Sequence, residues 1–300
     1  MEGGLWLPFI HTGEFMLNLK LYSIISGSSG NCSLITNGKS NILIDCGMSG
    51  KRAAESLESL SVSPNRINAI LVTHEHIDHT KGVGIMARKY NIPIYATEGT
   101  LLKSEIGKVS DELINTVTPD ITYDIAGIGI TPFSISHDAQ EPCGYVSDDG
   151  NTRIAVATDM GIMTDNVLSR ISGCDSVLLE SNHDIDMLRF GEYPYALKQR
   201  ILSDIGHLSN KAAAETALEL VKRGTKHLML GHLSEKNNMP DIAQMETYNH
   251  LTDKGVKIGT DVTLQVAERY KITPFIDGGI IRGYQYFVSE KKKKNSIPMP

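Results

Sequence analysis

INAILVTHEHIDHTKG, residues 67–82, sets a continuous apolar run directly against three histidines and an aspartate. The first six residues read as a strand buried on both faces. The polar residues begin where that strand ends, so Thr73–His79 occupies a turn at its carboxyl end. His74, His76, Asp78 and His79 are costly to bury without partners, and packing alone does not explain them. At a strand end, the turn aims alternate side chains at a common point. His74 and His76 are placed to grip one cation, and Asp78 and His79, past the turn, to grip another. Imidazole and carboxylate suit Zn²⁺, Mn²⁺ or Fe²⁺, and no thiolate stands at motif spacing.

The rest of the chain agrees with an ordinary globular enzyme. Its 300 residues are 41% hydrophobic and 21% charged, with a net charge of −6. That charge argues against a protein coated in basic surface but leaves room for a local basic groove. No apolar run reaches the roughly 18 residues that cross a bilayer, and the first residues lack a secretory signal. Cys32, Cys46, Cys143 and Cys174 form no CxxC pair, so reduced thiols and a cytoplasmic location are expected. Residues 1–15 read as an N-terminal extension and 289–300 as a basic, solvated tail. Between them, 16–288 shows no linker or composition shift and reads as one domain. Short β-rich runs with Gly, Ser and Asn turns alternate with helices in both halves, which suggests two central mixed sheets with helices outside.

Other strand ends carry metal-competent residues. His137 closes ITPFSISH, Asp159 closes TRIAVATD, and His232 closes KHLMLGH. Each alone has an ordinary alternative, and Asp159 before Met160 also fits a helix N-cap. Together with the first cluster they form a coherent ligand set. His207 differs, although it shares the tetrapeptide Gly-His-Leu-Ser with His232. It precedes the helical run NKAAAETALELV, with Ser209 or Asn210 as N-cap, so it sits near a helix amino terminus that favours anions.

THEHIDHTKG followed by His137, Asp159 and His232 resembles the metallo-β-lactamase-fold hydrolases over nearly the whole chain. The resemblance implies an αββα sandwich, two mixed β-sheets flanked by helices, holding two divalent metal ions (Zn or Mn, with Fe also suitable). It implies that His74, His76 and His137 bind one metal, that Asp78, His79 and His232 bind the other, and that Asp159 bridges them. Asp45, in ILIDCG, is expected to orient ligands. SGSSGN at 26–31, ILIDCG at 42–47, ESNHD at 180–184 and GHLSN at 206–210 are similar to the WalJ/YycJ-like branch, which is associated with DNA 5′-exonuclease activity. Flavo-diiron relatives usually carry Glu where His76 stands. The span from Asp159 to His232 has no room for the inserted domain of the β-CASP nucleases. No long Gly/Pro-rich arm of the tRNA 3′-processing type is evident.

Two cations roughly 3.5–4 Å apart generate a hydroxide nucleophile and stabilise charge on a phosphoryl oxygen. The expected activity is therefore phosphodiester hydrolysis, and the resemblance implies DNA as substrate and 5′-to-3′ exonucleolytic removal. With such metals bound, a bridging hydroxide would be the nucleophile with Asp78 near enough to orient it, and the resemblance suggests that His207 assists the leaving alkoxide. The rival is a small-molecule phosphodiesterase or thioesterase on the same metals. Ser28, Ser29 and Asn31 are expected near the substrate, as a phosphate nest or a plain turn. His183, after the strand DSVLLE, is expected to line the pocket. Phe190, Tyr193 and Tyr195 interleave with Arg189, Lys198 and Arg200, which fits either base stacking with phosphate contacts or a helix burying its aromatics. Oligomeric state is not legible.

Overall fold

A computed structural model describes residues 18–274. The extension expected at 1–15, the tail at 289–300 and the outer ends of the 16–288 domain lie outside the described residues. Turn formers between the first apolar runs fold them into an antiparallel set: β1 (Lys20–Ile25), β2 (Cys32–Thr36) and β3 (Asn41–Ile44). Parallel strands β4 (Ala69–Leu71), β5 (Ile94–Ala96) and β6 (Ile114–Thr116) extend this sheet. A second sheet begins with the antiparallel strands β7 (Tyr123–Ile125), β8 (Ile128–Ser134), β9 (Cys143–Asp148) and β10 (Arg153–Ala157). It continues in parallel through β11 (Ser176–Glu180), β12 (His227–Gly231) and β13 (Thr263–Val266). The short β14 (Thr273–Pro274) returns to the first sheet beside β1.

Parallel neighbours need crossovers, and helices supply them. The first sheet carries α1 (Gly50–Ser59), α2 (Ile77–Thr80), α3 (Val83–Tyr90) and α4 (Glu98–Lys103). The second carries α5 (Asp165–Ile171), α6 (Ile185–Phe190), α7 (Tyr195–Ile201), α8 (Asn210–Lys222) and α9 (Pro240–Asp253).

Side-chain alternation along the strands builds three apolar layers. Ile42 and Ile44 of β3 face the core between the sheets, with Leu71, Tyr145, Val156 and Leu178. Leu43, between them in sequence, faces outward under Ala53 and Leu57 of α1 and Met86 of α3. In β11, Val177 and Leu179 likewise pack under Ala213 and Ala217 of α8, opposite to Leu178. Burial on both faces is why these strands read as unbroken apolar runs. The result is the expected αββα sandwich. Two hydrogen bonds tie the sheets together at one edge: Tyr145 Oη donates to Val72 O at 2.8 Å, and Cys143 N to Thr73 O at 2.9 Å. That edge carries the histidine cluster.

Candidate metal centre and active site

Strands β3, β4, β8, β10, β11 and β12 all finish at this edge, and the chain just past each end or its last residue supplies a polar group: Asp45, the 73–79 turn, His137, Asp159, Glu180 and His232. Asp45, Asp159 and His232 all adopt left-handed backbone, with φ of 60°, 60° and 55°. Such conformations cost on the order of 1–3 kcal/mol for non-glycine residues and persist only where neighbours enforce them. At Asp45 the enforcement is visible: Oδ1 accepts from Thr73 N at 2.8 Å, and Oδ2 contacts His79 Nδ1 at 2.8 Å. At His232 the backbone N–H donates to Ser26 Oγ at 2.8 Å. Asp159 is not the helix cap its sequence also allowed, because Thr164 caps α5 instead. Asp78 and His79 lie in the short helix α2, which packs against the loop after β3. A Cβ added to Gly47 would fall 1.6 Å from Asp78 O, so only glycine admits this approach.

Among the described residues, the potential ligand atoms gather into four overlapping groups, which include the trio His74, His79 and Asp159 and the quartet Asp159, Glu180, His207 and His232. His74, His76 and His137 bring theirs within 4.8 Å of one another, and so do Asp78, His79 and His232. Asp159 lies between, with Oδ2 3.4 Å from His79 Nε2 and Oδ1 3.9 Å from His137 Nε2. His79 Nδ1 lies 2.8 Å from Asp45 Oδ2, and its Nε2 lies 3.0 Å from Asn31 Nδ2. His137 Nε2, Asp159 Oδ2 and His232 Nε2 are buried and make no hydrogen bond. Orphans of this kind are destabilising by roughly 1–3 kcal/mol each. Three of them converging among imidazoles and carboxylates fit divalent cations, which would satisfy all three.

The electrostatics point the same way. Burial would lower the His79 pKa, but Asp159 and then Asp45 outweigh it and raise it to about 9. His232 is likewise raised against its burial, chiefly by the carboxylates of Asp159, Asp78 and Glu180 around it. His74 goes the other way, lowered by burial and by the neighbouring His79 and His137. The carboxylate side of the cluster therefore demands positive charge, while His74 and His137, both lowered by burial, offer neutral lone pairs.

Glu180 is the residue that sequence reasoning missed. It is fully buried at the end of β11. Its Oε1 accepts from His207 Nδ1 at 2.8 Å and from His232 Nδ1 at 2.9 Å. Its Oε2 accepts from the backbone N–H of Met160 at 2.7 Å and of Leu208 at 3.1 Å. Burial would raise its pKa, but His207 and His232 hold it well below the usual carboxylate range. With four donors already bound, Glu180 orients both histidines through Nδ1 and frees both Nε2 atoms. The available signal was an acid closing an all-apolar strand, SVLLE, the pattern that also marked Asp159.

The remaining expected residues divide. Asn31 is buried against His79, whereas Ser28 and Ser29 are exposed on the same loop. His207 is brought beside His137 and His232, with ring centroids 5.1 and 5.2 Å away. Its side chain is 19% exposed against 2% for His232, so it faces the cleft. His183 is 1% exposed and does not present its ring to the open cleft; burial lowers its pKa to about 4, and neither ring nitrogen has a partner. Lys198 spends its ammonium on the carbonyls of Arg189 and Gly191, at 2.9 and 2.6 Å, and Arg200 pairs with Asp138. These two cations fasten the loop rather than stand free for phosphate. A cavity of about 250 Å³ lined by Asn18, Thr36, Asn41 and Arg66 opens at the far end of the first sheet, with no cluster residue in its wall.

An αββα sandwich with an imidazole–carboxylate cluster at the shared sheet edge defines a metal-dependent hydrolase of the metallo-β-lactamase fold. Residues 40–233 match the family model described as the beta-lactamase superfamily domain, and the chain belongs to that family. Within it, the chain is similar to the WalJ/YycJ-like proteins. It is 38% identical to exodeoxyribonuclease YycJ of Bacillus anthracis over 245 residues, 81% of this chain and 93% of that protein. It is also 38% identical to exodeoxyribonuclease WalJ of Streptococcus pneumoniae, over 85% of this chain and 97% of the relative. Among solved structures, the metallo-β-lactamase-fold protein YhfI of Bacillus subtilis superposes with a TM-score of 0.63 at 18% identity, covering 85% of this chain and 98% of that one.

Proposed function

We propose that this protein is a dinuclear metal-dependent phosphodiesterase that removes nucleotides from DNA, working 5′ to 3′. The observation that carries the reading is the 38% identity to two exodeoxyribonucleases across 93% and 97% of their lengths. In the assignment we favour, His74, His76 and His137 hold one cation, Asp78, His79 and His232 hold a second, and Asp159 is shared. The three buried orphan atoms support it. When bound, such cations lower the pKa of a water and neutralise charge on a phosphoryl oxygen. The N/O donor set suits zinc or manganese, and iron as well.

The side chains supply the remainder. Asp78 is 23% exposed where Asp159 is 2%, which suits it to orient the attacking water. His207 faces the cleft through Nε2 while Glu180 holds Nδ1. With its Nδ1 held by Glu180, the ring is oriented so that Nε2 can pass a proton to the leaving oxygen. Asp45 and Glu180 keep their histidines aimed between turnovers. No helix among the described residues is long and apolar enough to cross a membrane. Four free, buried thiols suit a reducing compartment such as the cytoplasm.

The reading is tested with purified protein loaded with Mn²⁺ or Zn²⁺. Substrates are 5′-phosphorylated single- and double-stranded DNA, RNA of the same sequence, and bis-p-nitrophenyl phosphate. Stepwise release of mononucleotides from the 5′ end of DNA is expected. Hydrolysis of the small diester with DNA left intact would contradict the nuclease reading.

A further inference from the structure

Residues 184–206 lie between Glu180 and the histidine it orients, and they form a helical hairpin, α6–α7, rooted in the site at both ends. At its start, Asp184 N donates to Asn237 O at 2.9 Å, in the loop that follows His232. At its end, Gly206 O lies 3.2 Å from His137 Nδ1, and His207 N donates to Ile201 O at 3.0 Å. A Cβ at Gly206 would come within 2.3 Å of Arg200 O and Ile201 O, so α7 turns into the site through a glycine that nothing larger replaces. Arg200 pairs with Asp138, next to His137, and Lys198 clasps the α6–α7 junction. The hairpin is therefore held rigidly beside the metal cluster.

Its aromatics are not buried. Phe190 is 86% exposed and Tyr195 is 76% exposed, the most exposed aromatic side chains among the described residues. Of the two readings the sequence allowed, burial in a helix face does not hold for Phe190 and Tyr195, while Tyr193 is half-buried. Further exposed apolar residues are Ile77 at the start of α2, within the histidine motif, and, on loops, Ile162 after Asp159 and Ile205 before His207. Exposed apolar side chains on the segments that lead into the cluster are unsuited to a small, strongly hydrated anion. They suit a chain whose phosphates enter the cleft while its bases meet apolar surface.

We propose that the α6–α7 hairpin is a stacking platform for unpaired bases of a single DNA strand, with Phe190 and Tyr195 as its contacts. This rests on the nuclease reading, and it adds that the substrate is gripped as a single strand by its bases. Stacking requires faces free of a partner strand and tolerates any base, so sequence-independent binding follows. Because two of its three cations, Lys198 and Arg200, are engaged within the protein and only Arg189 is left to meet a phosphate, base stacking is the hairpin's main contribution.

The test compares binding of an oligothymidylate and an abasic oligomer of equal length, by fluorescence anisotropy of the metal-loaded protein. Wild-type protein is expected to favour the oligothymidylate. The double variant Phe190→Ala/Tyr195→Ala should weaken that binding roughly 10–100-fold and leave the abasic oligomer's affinity unchanged. The aromatic-preserving variant Phe190→Tyr/Tyr195→Phe should retain wild-type binding, which separates stacking from misfolding. An unchanged affinity of the double alanine variant for oligothymidylate would overturn the platform. So would equal losses on both oligomers. A dimer in sedimentation that the alanine variant dissociates would assign the surface to self-association and overturn it too. If metal-loaded wild-type protein hydrolyses no DNA, the nuclease reading itself has failed, which is distinct from an active enzyme whose variants bind alike.

Discussion

The two Gly-His-Leu-Ser tetrapeptides, 206–209 and 231–234, carry identical side chains into different positions at one site. His232 ends a central strand, takes left-handed backbone, and is buried with an orphan Nε2. His207 precedes helix α8, and its ring opens to the cleft. Ser209 caps α8 by accepting from Ala212 N at 3.3 Å, whereas Ser234 accepts from Asn237 N at 3.2 Å in a loop. Between them runs Glu180-Ser181-Asn182. Asn182 N donates to Leu208 O at 2.8 Å, Ser234 N donates to Asn182 O at 2.7 Å, and Asn182 Nδ2 donates to His232 O at 2.9 Å. Ser181 Oγ donates to Asn210 Oδ1 at 2.7 Å. One short segment thus aligns both tetrapeptides, and its glutamate holds both histidines. The same local sequence serves two ends because the element on either side, strand or helix, decides which way the imidazole faces.

If the roles are divided in this way, substitutions should separate them. The largest effect is expected from His232→Ala, whose turnover on DNA should fall to that of chelator-treated protein; activity restored by excess metal to near wild type would weaken the assignment. Next comes His207→Ala, where kcat should drop about 10²–10⁴-fold with little change in KM, as expected on losing a proton donor. A rise in KM alone would make His207 a substrate contact instead. Glu180→Gln sharpens the comparison because it touches both rings. It should lower metal affinity or activity about 10–100-fold and also move the alkaline limb of the kcat–pH profile, where a proton donor is lost, to lower pH. Loss of metal affinity with an unmoved profile would confine Glu180 to His232. The smallest effect belongs to the serines. Ser209→Ala should remove a helix cap at a cost of about 1 kcal/mol, seen as a thermal midpoint lower by roughly 2–4 °C, and Ser234→Ala should cost less.

Much of this was legible before any coordinates. The run INAILV and its polar terminus placed His74, His76, Asp78 and His79, and strand ends nominated His137, Asp159 and His232. Ser209 was readable as a cap because helix starts have local chemistry. What was not legible is non-local. Glu180 contacts residues 27 and 52 positions away, and nothing near it in the chain announces them. The left-handed backbones of Asp45, Asp159 and His232 are imposed by tertiary neighbours, and no glycine flags them. Strands of two or three residues, such as β6, β7 and β14, carry too little periodicity to stand out, so the sheet order had to come from the structure. The exposure of Phe190 and Tyr195 was equally hidden, since exposed and buried aromatics spell the same helix.

The division of labour between the two tetrapeptides is tested most directly by the metal content of His207→Ala and His232→Ala, purified alike and measured by inductively coupled plasma mass spectrometry. The account predicts wild-type metal stoichiometry in His207→Ala and a clear loss of metal in His232→Ala. Equal loss in both variants would contradict it.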